Sequence, residues 1–324
     1  MPLNKALICG FVIDRSGRAT PVDSAGVDAW TPEAGWLWVH IDRSHDEAER
    51  WLAETARLDP LAVEALVAEE TRPRCVAIGE GMPVIMRGIN LNAGADPEDM
   101  ISVRLWVEPT RIFSLRARRL MAIQDLRASV EAGDVPPTPG AMLVRIAELM
   151  INRMGPVLEE LNDTVDQVEE DVLDGPSHES RATISRLRRQ AISLRRFLAP
   201  QREVLARLHS ERSTILSDAD RSELREVTER LTRSIEELDA AKDRAAVTQE
   251  ELGGRISDQM NKNMYVLSIV AGIFLPLGLF TGLLGINVGG MPGVNNDWAF
   301  VIVCIILLAL AGAAYWVFRR LRLL

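Results

Sequence analysis

The sequence predicts an α/β N-terminal domain, an all-α stalk and two C-terminal helices that cross a membrane. Short runs rich in β-branched and aromatic residues alternate with helical segments before residue 140, the mark of a mixed domain. After the tract Val135-Pro136-Pro137-Thr138-Pro139-Gly140 almost every segment keeps a helical apolar spacing,. Residues 263–296 then hold no Asp, Glu, Lys or Arg, a run of 34, and residues 298–318 add 21 more uncharged positions. The expected divisions are residues 1–140, 141–262 and 263–324.

Composition narrows the function classes. With 324 residues, 47% hydrophobic and 26% charged, the chain is neither disordered throughout nor a many-span membrane protein. Cys9, Cys75 and Cys304 lie too far apart for a disulfide framework or a CxxC zinc ribbon,. A net charge of −9 and a pI near 5.2 argue against nucleic acid as partner,. Beyond residue 262 the only acid is Asp297 and the only bases are Arg319, Arg320 and Arg322. Of the 46 acidic and 37 basic residues, 45 and 34 therefore lie in residues 1–262, which carry −11.

In the first domain the spacing predicts strands at residues 6–13, 36–41, 84–91, 101–107 and 111–115, with Glu108-Pro109-Thr110 as a hairpin turn,. Ser44 and Glu47 form a potential capping box for a helix through Leu58,. Asp59-Pro60 supplies an N-cap and first position for a helix over residues 61–69,. No Gly-rich phosphate loop or nucleophile elbow is present, so a regulatory or scaffold domain fits better than an enzyme. Further on, helices are expected over residues 141–173, 180–199 up to Pro200, and 202–210. No proline occurs between Pro200 and Pro276, and Leu224, Val227, Leu231, Ile235, Leu238, Ala245, Leu252 and Ile256 keep one stripe. A single helix over residues 217–284 follows. Its soluble part must pack on other helices, other subunits or both.

Residues 264–284 and 298–318 are each 21 long, enough to cross a hydrocarbon core of about 30 Å. Arg255 and Lys262 precede the first span, and Arg319, Arg320 and Arg322 follow the second. The linker over residues 285–297 has no basic residue. The positive-inside rule puts both chain ends in the cytoplasm and the linker outside, with the three arginines anchoring at the cytoplasmic face. Tyr265, Trp298, Tyr315 and Trp316 fall at span ends, where such rings settle among lipid headgroups. The run over residues 6–13 is too short for a signal peptide.

Two spans per chain cannot enclose a polar path, so a pore needs several copies. Pro276 at mid-span removes a helix hydrogen bond. Gly278 and Gly282 form a GxxxG step that either seats helices around a pore or serves a lipid-facing dimer. Gly253-Gly254, above the span, weakens the stalk by about 1 kcal/mol per glycine; it is either a hinge or a site of close packing.

The span ends in Gly285-Ile286-Asn287, followed by Gly289-Gly290-Met291-Pro292-Gly293. Residues 265–293 resemble the pore helix, GxN signature and outer loop of the CorA-type metal-ion transporters. Ile286 stands where most magnesium-handling members have Met, which with the Gly-Gly-Met-Pro-Gly loop is similar to the ZntB-like zinc-transport branch. Trp38-Val39-His40-Ile41-Asp42, Leu58-Asp59-Pro60-Leu61-Ala62-Val63-Glu64 and Thr71-Arg72-Pro73-Arg74 resemble blocks of the family's soluble domain.

The resemblance implies a CorA-like homopentameric funnel in the cytoplasmic membrane, in which five first spans line a central pore. Asn287 would set a ring of amide oxygens at the outer mouth, where neutral dipoles suit a partly hydrated dication; it is equally placed to cap the helix. Met264, Ala271, Leu275, Leu279 and Leu283 would line the pore, as gating rings or as ordinary packing positions. Asp297 would attract cations to the outer loop. The spans hold no His, Asp or Glu, so zinc as transported ion, and any proton coupling, rest on resemblance rather than on ligands. No cofactor and no enzymatic activity are implied; the partners are lipids, divalent ions and other copies of the chain. A magnesium, cobalt or nickel channel of the same family, and a membrane-anchored coiled-coil scaffold, are the rival readings.

Overall fold

A computed structural model describes residues 3–69, 71–175, 178–211, 214–286, 293 and 297–320. The chain divides into two compact units, Met1–Gln249 and Glu250–Leu324.

A seven-stranded mixed sheet organises the first unit. Its strands are β1 (Leu7–Ile13), β2 (Ala19–Pro21), β3 (Trp36–Asp42), β4 (Arg74–Cys75), β5 (Met82–Gly88), β6 (Ile101–Val107) and β7 (Arg111–Arg116), in the order β2-β1-β3-β7-β6-β5-β4. Only β3 and β7 run parallel; the other neighbours are antiparallel. The central strands are buried along nearly their whole length, because helices cover them. Alternation along β3 and β7 divides the core. Leu37, Val39, Ile41, Phe113 and Leu115 pack with Trp51, Leu52, Ala62, Val63 and Leu66 of helices α2 (Asp46–Glu54) and α3 (Pro60–Val67). Trp38, His40 and Ser114 hold the other parity. There the Trp38 indole donates to Ser114 Oγ at 2.9 Å, and His40 Nδ1 lies 3.0 Å from the Ser114 carbonyl.

The short helix α1 (Ser24–Asp28), the strands β2 and β4, and helix α4 (Met121–Glu131) have no counterpart among the elements expected from sequence. The hairpin at 108–110 and the Asp59 cap, whose side chain accepts from Leu61 N, agree with expectation. The Ser44–Glu47 box does not form. Ser44 N and Oγ instead donate to Asp42 Oδ1 at 3.0 and 2.5 Å, and Glu47 accepts from Lys5 N. A local turn has outcompeted the cap, and α2 begins at Asp46. It stops at Glu54 rather than Leu58 because Arg57 adopts φ 56° and Leu58 N turns back to Leu52 O, a left-handed helix ending.

Three further boundaries differ. The stretch 141–173 is two helices, α5 (Pro139–Asn152) and α6 (Gly155–Asp174), since Pro156 belongs at the start of a helix and not in its middle. Conversely α7 (His178–Ser210) runs unbroken through Pro200, leaving the Arg196 carbonyl without its helical donor. Strand β5 is displaced two to three residues toward the N-terminus of the expected 84–91, with Pro83 paired to Trp106.

Helix α8 (Asp218–Leu284) is continuous over 67 residues, as its sequence predicts. In the first unit its stripe Leu224, Val227, Leu231, Ile235, Leu238, Ala241 and Ala245 is buried. Ion pairs flank it: Arg230 to Glu148 of α5, Arg244 to Asp166 and Glu169 of α6, and Arg195 of α7 to Asp239. Of the acidic side chains over residues 159–171, Asp166 and Glu169 are engaged by Arg244.

Candidate functional site

The second unit contains the end of α8 and helix α9 (Ala299–Arg320). Both are long and apolar enough to cross a membrane, with mean hydropathy of 2.2 and 2.6 over their most apolar windows and no residue of those windows buried. Side-chain hydroxyls inside this apolar stretch are satisfied by the helix itself. Ser268 Oγ donates to Met264 O at 2.9 Å, and Thr281 Oγ1 to Leu277 O at 3.0 Å, as the hydrocarbon demands.

At about 100° per residue, Met264, Ala271, Leu275 and Leu279 fall within roughly 80° of one another, and Leu283 lies ~40° further round. The half-buried Ile269, Ile273 and Leu277 occupy the opposite side of the helix. Leu275 is 71% exposed. Leu267 and Phe274 on the adjoining side are equally open, so a broad apolar arc is left exposed. Ser268 falls on the same side as Met264 and Leu275 and is absent from the sequence-derived set. A hydroxyl four residues after Met264 in an otherwise apolar run was the available signal.

Glycines divide the labour along the span. A Cβ on Gly272 would come within 2.6 Å of the Phe318 ring, so this glycine permits α9 to approach. Pro276, four residues on, deprives the Gly272 carbonyl of its helical donor. Gly278 and Gly282 face open space, as do Gly253 and Gly254. None of these four is used in packing among the described residues, and the close approach falls at Gly272 instead. The α8 helix closes where Gly285 N donates to Thr281 O at 3.0 Å. Ile286 follows, 47% exposed. Asn287 and the glycine-rich loop after it lie outside the described residues.

At the far side of the loop, Asp297 is exposed. Arg319 and Arg320 close α9, with the Arg320 guanidinium 5.2 Å from the Trp316 ring centre; Arg322 lies outside the described residues. Among the described residues no cluster of three or more His, Cys, Asp or Glu is placed to hold a metal ion. His40 is sealed in the sheet, and burial lowers its pKa to about 4. His209 Nδ1 lies 3.1 Å from the Arg221 carbonyl. Burial likewise raises the thiols of Cys9 and Cys75 to about 11, which leaves them protonated and poor ligands.

The CorA-like Mg2+ transporter protein family model matches residues 33–320. The divalent cation transporter CmaX of Pseudomonas aeruginosa is 39% identical over 98% of this chain and 97% of its own length. The zinc transport protein ZntB of Yersinia enterocolitica is 33% identical over 95% of this chain and 94% of its own. Among solved structures, full-length CmaX superposes with a TM-score of 0.86 at 38% identity, covering 98% of both chains. The complete CorA magnesium transporter of Methanocaldococcus jannaschii gives 0.81 at 17% identity, covering 96% of this chain and 97% of its own, a likeness of fold. These relatives are transporters and not enzymes. With the mixed sheet, the long helix α8 and the two C-terminal apolar helices all matched, the chain belongs to the CorA-like transporter family.

Proposed function

We propose that five copies of this chain form a channel-like transporter that carries divalent cations, zinc foremost, across the cytoplasmic membrane. The observation that carries the reading is the span of α8. It is uncharged and exposed over a wide apolar arc, and it is closed by Gly285 two residues before Asn287. A helix of this kind finds partners only in lipid and in its own copies. Likeness to ZntB and CmaX over 95–98% of the chain supports the cargo class.

In this reading residues 1–140 and 141–262 form the cytoplasmic body and stalk, residues 263–324 the membrane part, and both chain ends are cytoplasmic. Asn287 presents the outer ring, and Met264, Ala271, Leu275, Leu279 and Leu283 line the path, with hydrophobic constrictions that gate by dewetting. Gly285 and Ile286 set the turn that aims Asn287. Gly278 and Gly282 seat neighbouring copies, and Gly253-Gly254 acts as the hinge. The cation crosses at least partly hydrated, because zinc stripped of water needs N or S ligands near 2.0–2.3 Å. Magnesium, cobalt and nickel then pass as well, in keeping with the ligand-free span. An inside-negative potential favours inward movement of a dication by about 4.6 kcal/mol per 100 mV.

Flux into proteoliposomes, comparing zinc with magnesium with and without a pH gradient, tests the activity and its coupling. Mass measurement in detergent tests the pentamer. A dimer or trimer without flux would return the protein to a membrane-anchored scaffold.

A further inference from the structure

A cavity of about 700 Å³ opens in the first unit, and its lining runs against the charge of the body around it. Five arginines line it, Arg43, Arg72, Arg87, Arg118 and Arg196, against three carboxylates, Glu69, Glu98 and Asp99. Residues 1–262 as a whole carry −11, so an excess of guanidinium groups in one recess is not an average sample of this surface.

The local structure explains how the arginines are gathered. Two of them, together with Arg104, converge on the carbonyls that end α3 and follow it. Buried Arg104 of β6 donates to Leu66 O at 2.8 Å and Glu69 O at 3.2 Å, Arg43 donates to Val67 O at 3.0 Å, and Arg87 of β5 donates to Thr71 O at 2.9 Å. Cations are favourable at a helix C-terminus, but these carbonyls carry no full negative charge. Arg104 feels the neighbouring Arg43, Arg87 and Arg74, and burial with that repulsion brings its pKa down to about 10. Further groups remain uncommitted. Among the described residues Arg43 Nε and the Thr71 hydroxyl are buried without a hydrogen-bond partner, and Thr71, 8% exposed, lines the cavity. At the rim, Arg72 and Arg196 are exposed and make no hydrogen bond or ion pair with the described residues. Arg196 and Arg87 instead lie 4.9 and 4.3 Å from the Phe197 ring centre. Arg118 is paired with Asp99 at 2.7 Å.

We propose that this recess is a cytoplasmic binding site for a small phosphate-bearing molecule, held by Arg72 and Arg196 at the rim over the Arg43 and Thr71 floor. Guanidinium groups match the geometry of phosphate oxygens in pairs, and the volume falls in the usual range for small-ligand sites, about 300–1,000 Å³. Binding there does not depend on which cation is carried.

Calorimetric titration of the full-length protein in detergent tests it, with inorganic phosphate, pyrophosphate and ATP as separate probes in metal-free buffer. Saturable binding of one probe per chain is expected, weakened roughly tenfold or more in the double variant Arg72→Gln/Arg196→Gln. Arg225→Gln, on an exposed α8 arginine outside the cavity, should bind as the parent does. Glu98→Gln removes a competing carboxylate and should tighten binding, which a merely structural effect would not do. Both altered groups are surface or rim residues, and matching melting curves verify the fold. Equal affinity for phosphate and ATP identifies the phosphate group alone as ligand, whereas preference for ATP identifies a nucleotide. Absence of saturable binding by all three probes, or unchanged affinity in both the double variant and Glu98→Gln, overturns the proposal.

Discussion

Helix α8 belongs to both units, and its two parts treat leucine in opposite ways. Leu224 and Leu231 are completely buried among the helices of the first unit, whereas Leu267, Leu275 and Leu279 of the second are each about two-thirds exposed. Charge follows the same division. Arg230, Arg244 and Asp239 are engaged by partners on α5, α6 and α7, while residues 264–284 carry no charge at all. The first unit thus finds its apolar partners within its own chain, and the second leaves its apolar surface exposed. Exposure of large apolar side chains over a continuous arc is abnormal for a protein surface in water; here it marks the part of the chain whose surroundings are not water.

The sharpest way to break this contrast is one substitution made twice. Leu231→Asn places an amide in the packed stripe and should destabilise the soluble body by about 3–5 kcal/mol, read as a large fall in melting temperature. Leu275→Asn should leave that transition in place and alter zinc flux in proteoliposomes, because its side chain supports no contact in the body. If both variants lost the same stability, the division of roles would be wrong.

A smaller effect concerns pH. His40 is protonated less readily in the fold than in an unfolded chain, with its pKa near 4 against an ordinary value of 6.5. Its contribution is fully present above about pH 6.5 and is lost progressively as the unfolded chain takes up a proton between there and pH 4. The loss should reach roughly 3 kcal/mol, and His40→Asn should flatten this part of a plot of melting temperature against pH. Next in size, Arg244→Ala should cost about 1 kcal/mol, since its pairs with Asp166 and Glu169 are partly solvated,. The smallest change is expected from Asp297→Asn, which should lower uptake at low ionic strength and matter little in high salt. Equal flux at both salt levels would remove Asp297 from the path. Replacing Gly253 and Gly254 by Ala sharpens the comparison at the junction, since unchanged transport would dispose of a hinge there.

Much of this architecture was legible in the residues themselves. The uncharged runs and the unbroken stripe from Leu224 onward are long, repetitive signals, and α8 and the two apolar helices followed them closely. The strands could be read from β-branched runs, but their ends could not, because Pro83 is tolerated in β5 only in its particular place in the sheet. Local chemistry misled where two short-range options competed. Ser44 had a plausible capping box with Glu47 three positions on, yet Asp42 was nearer and took its hydroxyl. Prolines showed the same ambiguity: Pro156 begins a helix and Pro200 lies within one, and a ring that removes one hydrogen bond is tolerated when the surrounding packing compensates.

What the sequence determined alone is a matter of solvent preference: which segments are apolar enough for lipid, which helix has no stop signal, and which side carries the basic ends. These properties are sums over many residues and survive without a fold. Tertiary structure decided everything that depends on which groups meet. It placed Gly272 against Phe318, turned Arg244 onto α6, and collected the arginines of distant strands and helices around the end of α3. Such meetings join residues far apart in the chain, and no local periodicity encodes them.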